Sequence, residues 1–363
     1  MTMDGGQPLV VTSRPDGSGP YYLNHIGSVA GLAYSDTMPG GPESMELVLG
    51  ADPHTRHEAL SPGRRVQVQK GMSCVWEGRL LEPAAGDGGW AVTADGIGTL
   101  GKYYRADWQS GGWTAANLVA RAISRGLRWI AGSLSGGYLL QPSDTGTVTV
   151  DDALNQIAAT QSSTWRVSRV HAGWQCDLIA LPGTTTRLLV STSPAVRTLA
   201  GYVNALQVKY QATADKGNKP ATFGWQTATL PDSITRHDRT EAFWDVTSGG
   251  VMSSSAALAL GNAALAKYLA ASYAGPFTVS HGQYLTAGGV PVDLACESAG
   301  EVVQLVLADG PYGGEIYPVP PVRFQVGQVK YAAASDTLEV TPYQSWRGDL
   351  NNVMTLLAPR APA

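Results

Sequence analysis

The sequence predicts a mainly β chain with α+β character: two small antiparallel β-barrels, an α/β domain between them, and one helix inserted in the second barrel. Three observations predict it. Short runs of alternating apolar and polar residues recur at close spacing through residues 1–105, the pattern of small barrels. Helix boundaries marked by capping residues then cluster between 106 and 200, where a helical period replaces the alternation. From Gly201 the alternation returns, interrupted by one alanine-rich stretch at about 253–271. The expected division is 1–105, 106–200, 201–350 and a C-terminal tail, 351–363.

Composition bounds the reading. A chain of 363 residues is long for one core, and two or three domains are expected. With 43 Gly and 22 Pro, turns are frequent, which favours many short strands. Only 15% of residues are charged, while ten are Trp and fifteen Tyr. A free-standing monomer usually carries more surface charge, so much of this surface is expected to be covered by other subunits. The net charge of −4, with Arg64-Arg65 as the longest basic block, argues against a dedicated nucleic-acid surface. Cys74, Cys176 and Cys296 stand alone; they make no disulfide framework or zinc knuckle and read as buried apolar thiols. The N-terminus lacks the basic start and long apolar run of a signal peptide, and no segment has the length of an apolar membrane span. Synthesis and folding in the cytoplasm are therefore expected.

Taken in order, Tyr21–Ala33 reads as a strand pair broken near Gly27. Ser44–Asp52 alternates Met45, Leu47 and Leu49 against Glu46 and Val48, and Arg64–Gly71 sets Val66 and Val68 inward. Cys74–Pro83 and Gly89–Gly98 follow as strands. Trp113–Gly126 is a helix with Thr114 as N-cap and Gly126 as its stop. A second helix starts at Thr149, with Asp152 in the capping-box position, and buries Ala153, Leu154, Ile157 and Ala158. Ser163–Val170 and Trp174–Leu181 make a hairpin around residues 171–173. Gly201–Thr213 and Ala221–Leu230 are strands, Ser253–Ala271 a helix, and Pro276–Pro342 holds five or more strands.

No arrangement carries catalysis, and no catalytic, cofactor-binding or metal-ligating residue is assigned. His54-Thr-Arg-His57-Glu58 puts the glutamate after the second histidine, where a zinc helix needs it between them; it reads as a solvated loop. Gly132–Gly136 (GSLSG) has Leu134 where a nucleophile elbow needs serine. The carboxylate pairs Asp151-Asp152, Glu77 with Glu82, and Asp232 with Asp238 could in principle serve glycan hydrolysis. The first pair, however, sits where acids stabilise a helix dipole. Trp76, Trp90 and Trp165 fall at inward strand positions and read as core; Trp108, Trp113 and Trp129, near glycines, read as subunit contacts. Arg347-Gly348-Asp349 is a chance tripeptide.

Two sets of residues carry a resemblance. The first is Pro62, Gly63, Val66 and Val68, then Trp76, Gly78 and Leu80, then Trp90, Val92, Ala94 and Gly96. The second is Asn204, Leu206, Val208 and Tyr210, followed by Asp232, Ser233, Ile234 and Glu241 and then a helix. In order and size the chain resembles the tail hub proteins, Tal-like minor tail or baseplate hub proteins of long-tailed, siphovirus-type phages. The resemblance implies a non-enzymatic virion protein at the distal tail tip, made in the host cytoplasm, with no cofactor. It implies a homotrimer whose six barrels match a sixfold tail tube above and pass threefold symmetry to a fibre or spike below. The implied partners are a distal tail or tail tube protein, a tape measure protein and fibre or spike proteins. DNA would pass through the channel without specific binding, and 106–200 would lie at the periphery. Many such hubs extend further at the C-terminus with fibre or lysozyme modules, which this chain would lack. An envelope-glycan hydrolase and a carbohydrate-binding β-protein remain the alternatives.

Overall fold

The computed structural model describes residues 8–52, 57–86, 88–106, 114–134, 148–160, 163–180, 186–191, 203–214, 220–247, 250–269, 276–307 and 323–343. In chain order the strands are β1 (Leu9–Ser13), β2 (Tyr21–Tyr22), β3 (Ser28–Thr37), β4 (Gly41–Gly50), β5 (Arg65–Lys70), β6 (Ser73–Leu80), β7 (Ala84–Gly86), β8 (Gly89–Gly96), β9 (Ile130–Ala131), β10 (Ser163–Val170), β11 (Gly173–Ala180), β12 (Thr186–Ser191), β13 (Ala205–Thr213), β14 (Thr222–Thr229), β15 (Glu241–Asp245), β16 (Phe277–Ser280), β17 (Tyr284–Thr286), β18 (Val302–Leu307), β19 (Arg323–Ala332) and β20 (Thr337–Pro342). The helices are α1 (Leu23–Ile26), α2 (Ala115–Ser124), α3 (Val150–Thr160), α4 (Pro231–His237) and α5 (Ser254–Leu269). Two compact units result, 1–194 with 276–341, and 195–275 with 342–363.

The first unit is built on a 14-stranded sheet whose main path runs β17-β12-β18-β19-β3-β4-β8-β6-β5-β1-β2. Its strands follow the alternation. Met45, Leu47 and Leu49 are buried while Val48 is exposed, and Val66 and Val68 are fully enclosed. The sheet curls on itself. Trp76 of β6 donates its indole N–H to Ser35 O of β3 at 3.2 Å, although β4 and β8 lie between those strands along the path. An open sheet this wide buries its apolar face by such curling.

The expected closed barrels are not present among the described strands, because the pairing takes another course. The free edge of β3 is taken by β19, with Gln328 opposite Thr37 and Ala332 opposite Ala33. Strands from 276–342 therefore extend the sheet begun by 1–105 and make no barrel with 201–246. β12, which lies within the expected 106–200 domain, also joins this sheet, parallel to β18. Local alternation marks where strands are, and the distant partner of each edge has no local signal. One smaller difference stands in the same region: residues 23–26, expected within a strand pair, form the short α1 between β2 and β3.

Residues 114–180 make a lobe of the same unit, with α2 and α3 beside the β10-β11-β9 sheet. Its helix starts are those the sequence predicts. Thr114 Oγ1 accepts from Asn117 N at 3.2 Å. At α3, Thr149 Oγ1 accepts from Asp152 N at 3.2 Å and Asp152 Oδ2 accepts from Thr149 N at 3.2 Å, a reciprocal capping box. Ala153, Leu154, Ile157 and Ala158 are buried with Leu118, Val119 and Trp165, and the cluster recruits Ile97 and Leu100 from the preceding segment.

The second unit is a three-stranded sheet, β14-β13-β15, with β15 parallel and β14 antiparallel to the central strand. Leu206, Val208, Tyr210, Ala228 and Trp244 line one face, packed with Ala257, Ala264 and Leu265 of α5. The stretch after β14 contains the short helix α4, which opens with Pro231 at its first turn, where a missing N–H costs nothing.

Candidate functional site

Each carboxylate pair weighed from the sequence has a structural place. Glu77, on β6, is 1% exposed. Its carboxylate accepts from Arg65 Nη2 at 2.7 Å, Gln67 Nε2 at 2.9 Å, Arg128 Nη1 at 3.1 Å and Trp174 Nε1 at 3.0 Å. Four donors on one buried carboxylate, two of them cationic, leave its oxygens occupied. Arg128 and Trp174 belong to the lobe and Arg65 and Gln67 to β5, so this cluster fastens lobe to sheet. Glu82 is exposed.

Asp151 and Asp152 occupy the first turn of α3; Asp152 makes the capping box and Asp151 is driven inward. Burial pushes the Asp151 carboxyl up to about 7, helped by the neighbouring Asp152 charge and opposed by Lys102. Asp232 sits in the first turn of α4, and Asp238 turns the chain at φ +61° beyond it. The Asp238 carbonyl accepts from Asn204 Nδ2 at 2.6 Å, Ser233 Oγ lies 3.3 Å from the same nitrogen, and Asn204 Oδ1 accepts from Thr240 N at 2.8 Å. One buried amide thus joins the two halves of the motif around 204–241.

His57 Nδ1 accepts from Ala59 N at 3.0 Å and caps a 3-10 turn, while Glu58 contacts Arg64 at 3.3 Å; His54 lies outside the described residues. Among the described residues no group of three or more His, Cys, Asp or Glu could hold a metal ion. Leu134 is buried in the lobe core, and Ser135 and Gly136 lie outside the described residues, as do Arg347, Gly348, Asp349 and 351–363. Cys176 is buried and Cys74 half-buried, but Cys296 is exposed, contrary to the expectation of a buried thiol.

Trp76, Trp90 and Trp165 are buried, as their inward positions predict. Trp129, expected as a subunit contact, is core: it is 3% exposed and donates to Ile97 O at 2.7 Å. Trp108 and Trp113 lie outside the described residues. A cluster of exposed aromatics lies elsewhere, on the outer face of the second unit's sheet. Phe223, Trp225 and Phe243 are each about half exposed. The Trp225 and Phe243 rings lie 5.1 Å apart across β13, and Lys209 sits over Phe223 at 5.3 Å. Charges on this face are paired locally, Lys209 with Asp245 at 3.2 Å and Arg239 with Glu241 at 2.6 Å. Strand alternation at 205–213 and 241–245 could have revealed this face, since the aromatics of β14 and β15 fall opposite Lys209 and Gln207.

In the first unit a cleft of about 430 Å³ lies between lobe and sheet, lined by Tyr34, Asp36, Trp76, Arg166, Trp174 and Glu297 among others. Its walls are mixed guanidinium, carboxylate, hydroxyl and aromatic groups. No helix among the described residues is long and apolar enough to cross a membrane.

No family model matches this sequence, and no curated protein matches it. Solved structures do match its fold along nearly its whole length. The 43 kDa tail protein of prophage MuSo2 from Shewanella oneidensis superposes with a TM-score of 0.61 at 10% identity, covering 95% of this chain and 99% of that one. A tail protein from Neisseria meningitidis gives 0.57 at 12% identity, covering 92% and 96%. A prophage tail protein from Listeria monocytogenes gives 0.55 at 11% identity, covering 96% and 98%. The chain has the fold of phage tail proteins.

Proposed function

We propose that this chain is a structural protein of a phage tail, and that it works as the trimeric hub at the distal tip. In this reading three copies join a sixfold tail tube or distal tail protein to a threefold fibre or spike and frame part of the DNA channel. The observation that carries it is the match of fold over 95% of this chain and 99% of a prophage tail protein. Three further features support an assembled state. The chain is 15% charged, it presents a half-exposed aromatic face, and its charges on that face are already paired. An apolar, internally neutral patch is the kind of surface that subunit contacts cover.

The mild net charge of −4 fits a wall that DNA passes without adhering, since a basic lining would attract phosphate. In this reading the segment 106–200 faces the outside of the ring. Glycan hydrolysis is not favoured by the geometry, because Glu77 is clamped by two guanidiniums and Asp151 faces inward.

Native mass across a concentration series, with electron-microscopy class averages of the same samples, tests the reading. It expects a threefold ring with a central opening. A monomer at every concentration, also in the presence of a partner tail tube protein, together with turnover of envelope glycans, would overturn it.

A further inference from the structure

A buried cluster of charged groups outside the Glu77 network holds the segment 297–301. Arg187 on β12 donates from Nε to Glu297 Oε2 at 2.9 Å and pairs through Nη2 with Glu301 Oε1 at 2.8 Å. The two glutamate side chains are 6% and 12% exposed, and one guanidinium serves both. Between them, Ala299 N donates to Asp36 Oδ1 of β3 at 2.8 Å, and the same oxygen lies 3.7 Å from Arg166 of β10. Three carboxylates thus face two guanidiniums, and Asp36, Glu297 and Arg166 also line the cleft. Among the described residues the cluster also faces Tyr284 of β17, whose buried hydroxyl has no hydrogen-bond partner among them, and Glu43 of β4 beside Asp36. Neither supplies a positive charge. Glu301 Oε2 is likewise buried with no donor among the described residues, and the Glu297 carboxyl stands within hydrogen-bonding reach of Glu301.

We propose that the 297–301 segment is an acid-tightened latch, held on β12 by a proton that Glu301 shares with Glu297 against Arg187. One proton balances the charge at Arg187, since it leaves one of the two glutamates ionised for the one guanidinium; without it an uncompensated charge would stay buried, which proteins avoid. Burial and the adjoining Glu297 push the Glu301 carboxyl up to about 8, against the pull of Arg187 and Arg166. The latch bears on a site, because Cys296, Glu297 and Ser298 form one wall of the cleft. Glu301 directly precedes β18, which pairs with β12.

The sign follows from proton binding. The latched state keeps a proton that a released, solvated glutamate loses at its ordinary pKa. Release is therefore suppressed in acid, grows with pH up to about 8, and levels off above that.

The test is hydrogen–deuterium exchange of the full chain from about pH 5 to pH 9, reported as protection factors after correction for intrinsic exchange. Peptides covering 294–307 and 186–191 should lose protection by up to about tenfold per pH unit and level off above about pH 8. Glu301→Gln, which mimics the protonated acid, should keep the segment protected with no such slope. A wild-type segment with no pH dependence, or a variant with the same slope as wild type, overturns the proposal. Should Glu301→Gln not fold, Glu297→Gln decides the matter: removing the neighbouring charge should move the loss of protection to lower pH, and an unmoved profile sinks the latch.

Discussion

Trp174 donates its indole N–H to the carboxylate of Glu77 at 3.0 Å, across 97 residues of chain. The bond joins β11 of the lobe to β6 of the sheet, and it completes a set of four donors on one carboxylate. Removing the acceptor leaves Arg65, Arg128 and Trp174 facing one another with no counter-charge. Glu77→Ala is expected to cost about 3 kcal/mol of stability, read from urea unfolding. A loss below about 1 kcal/mol would mean that lobe and sheet are held by other contacts.

Asn204 does comparable service in the second unit, where one buried amide satisfies Asp238 O and Thr240 N. Truncation strands both backbone groups. Asn204→Ala should lose about 2 kcal/mol, with Asn204→Asp recovering part of it through the retained acceptor. Equal losses in both variants would show that the acceptor oxygen contributes nothing.

Gly41 stands where β4 meets β10. Its φ is +109°, and a Cβ there would lie 2.2 Å from Val167 O, beside the backbone bond from Val167 N to Gly40 O. Gly41→Ala combines left-handed strain with a backbone clash and should cost more than about 2 kcal/mol. A melting temperature equal to wild type would show that the lobe does not sit this close.

Asp151 gives a pH dependence of defined sign. Its folded value, about 7, lies above the usual 3.8 of a free aspartate. Stability from this group is therefore fully present below about pH 4 and is lost as pH rises through 7. Asp151→Asn should remove that loss and raise stability at pH 8 by on the order of 2 kcal/mol. The comparison needs unfolding curves at pH 5 and pH 8; a variant less stable than wild type at pH 8 contradicts the assignment.

The exposed aromatics test the assembly reading. Trp225 and Phe243 are about half exposed, so replacing both with serine should change unfolding of the isolated chain by less than about 2 kcal/mol. The same double variant should lower the native mass if copies of the chain meet on this face. Unchanged mass would move the contact elsewhere.

Much of the local structure was legible in the residues themselves. Alternation at 45–49 and 66–68 located buried strand faces, and Thr114, Thr149 and Asp152 located helix starts, because these signals act within a few residues. The same stretches explain why the motif glycines recur. A Cβ at Gly78 would lie 2.2 Å from Asp95 O and 2.4 Å from the Trp76 ring, so this glycine permits close strand packing, where the sequence had pointed to turns or bends. Glycine composition alone does not distinguish the two.

What the sequence determined by itself was the kind of most of the longer elements, with their inward faces and the caps of two helices, since propensity and periodicity are properties of neighbouring residues. Only the tertiary structure decided which edges pair. β19 on β3 and β12 on β18 merge stretches that lie far apart in the chain, and so two expected barrels become one curled sheet and a separate three-stranded unit. It also decided which charges share a buried space, turning Glu77 into a clamp and bringing Arg187, Glu297 and Glu301 together. Strand edges present the same N–H and C=O groups whatever their side chains, so pairing is chosen by the packing of whole faces. That choice involves the entire fold, and no short stretch of residues contains it.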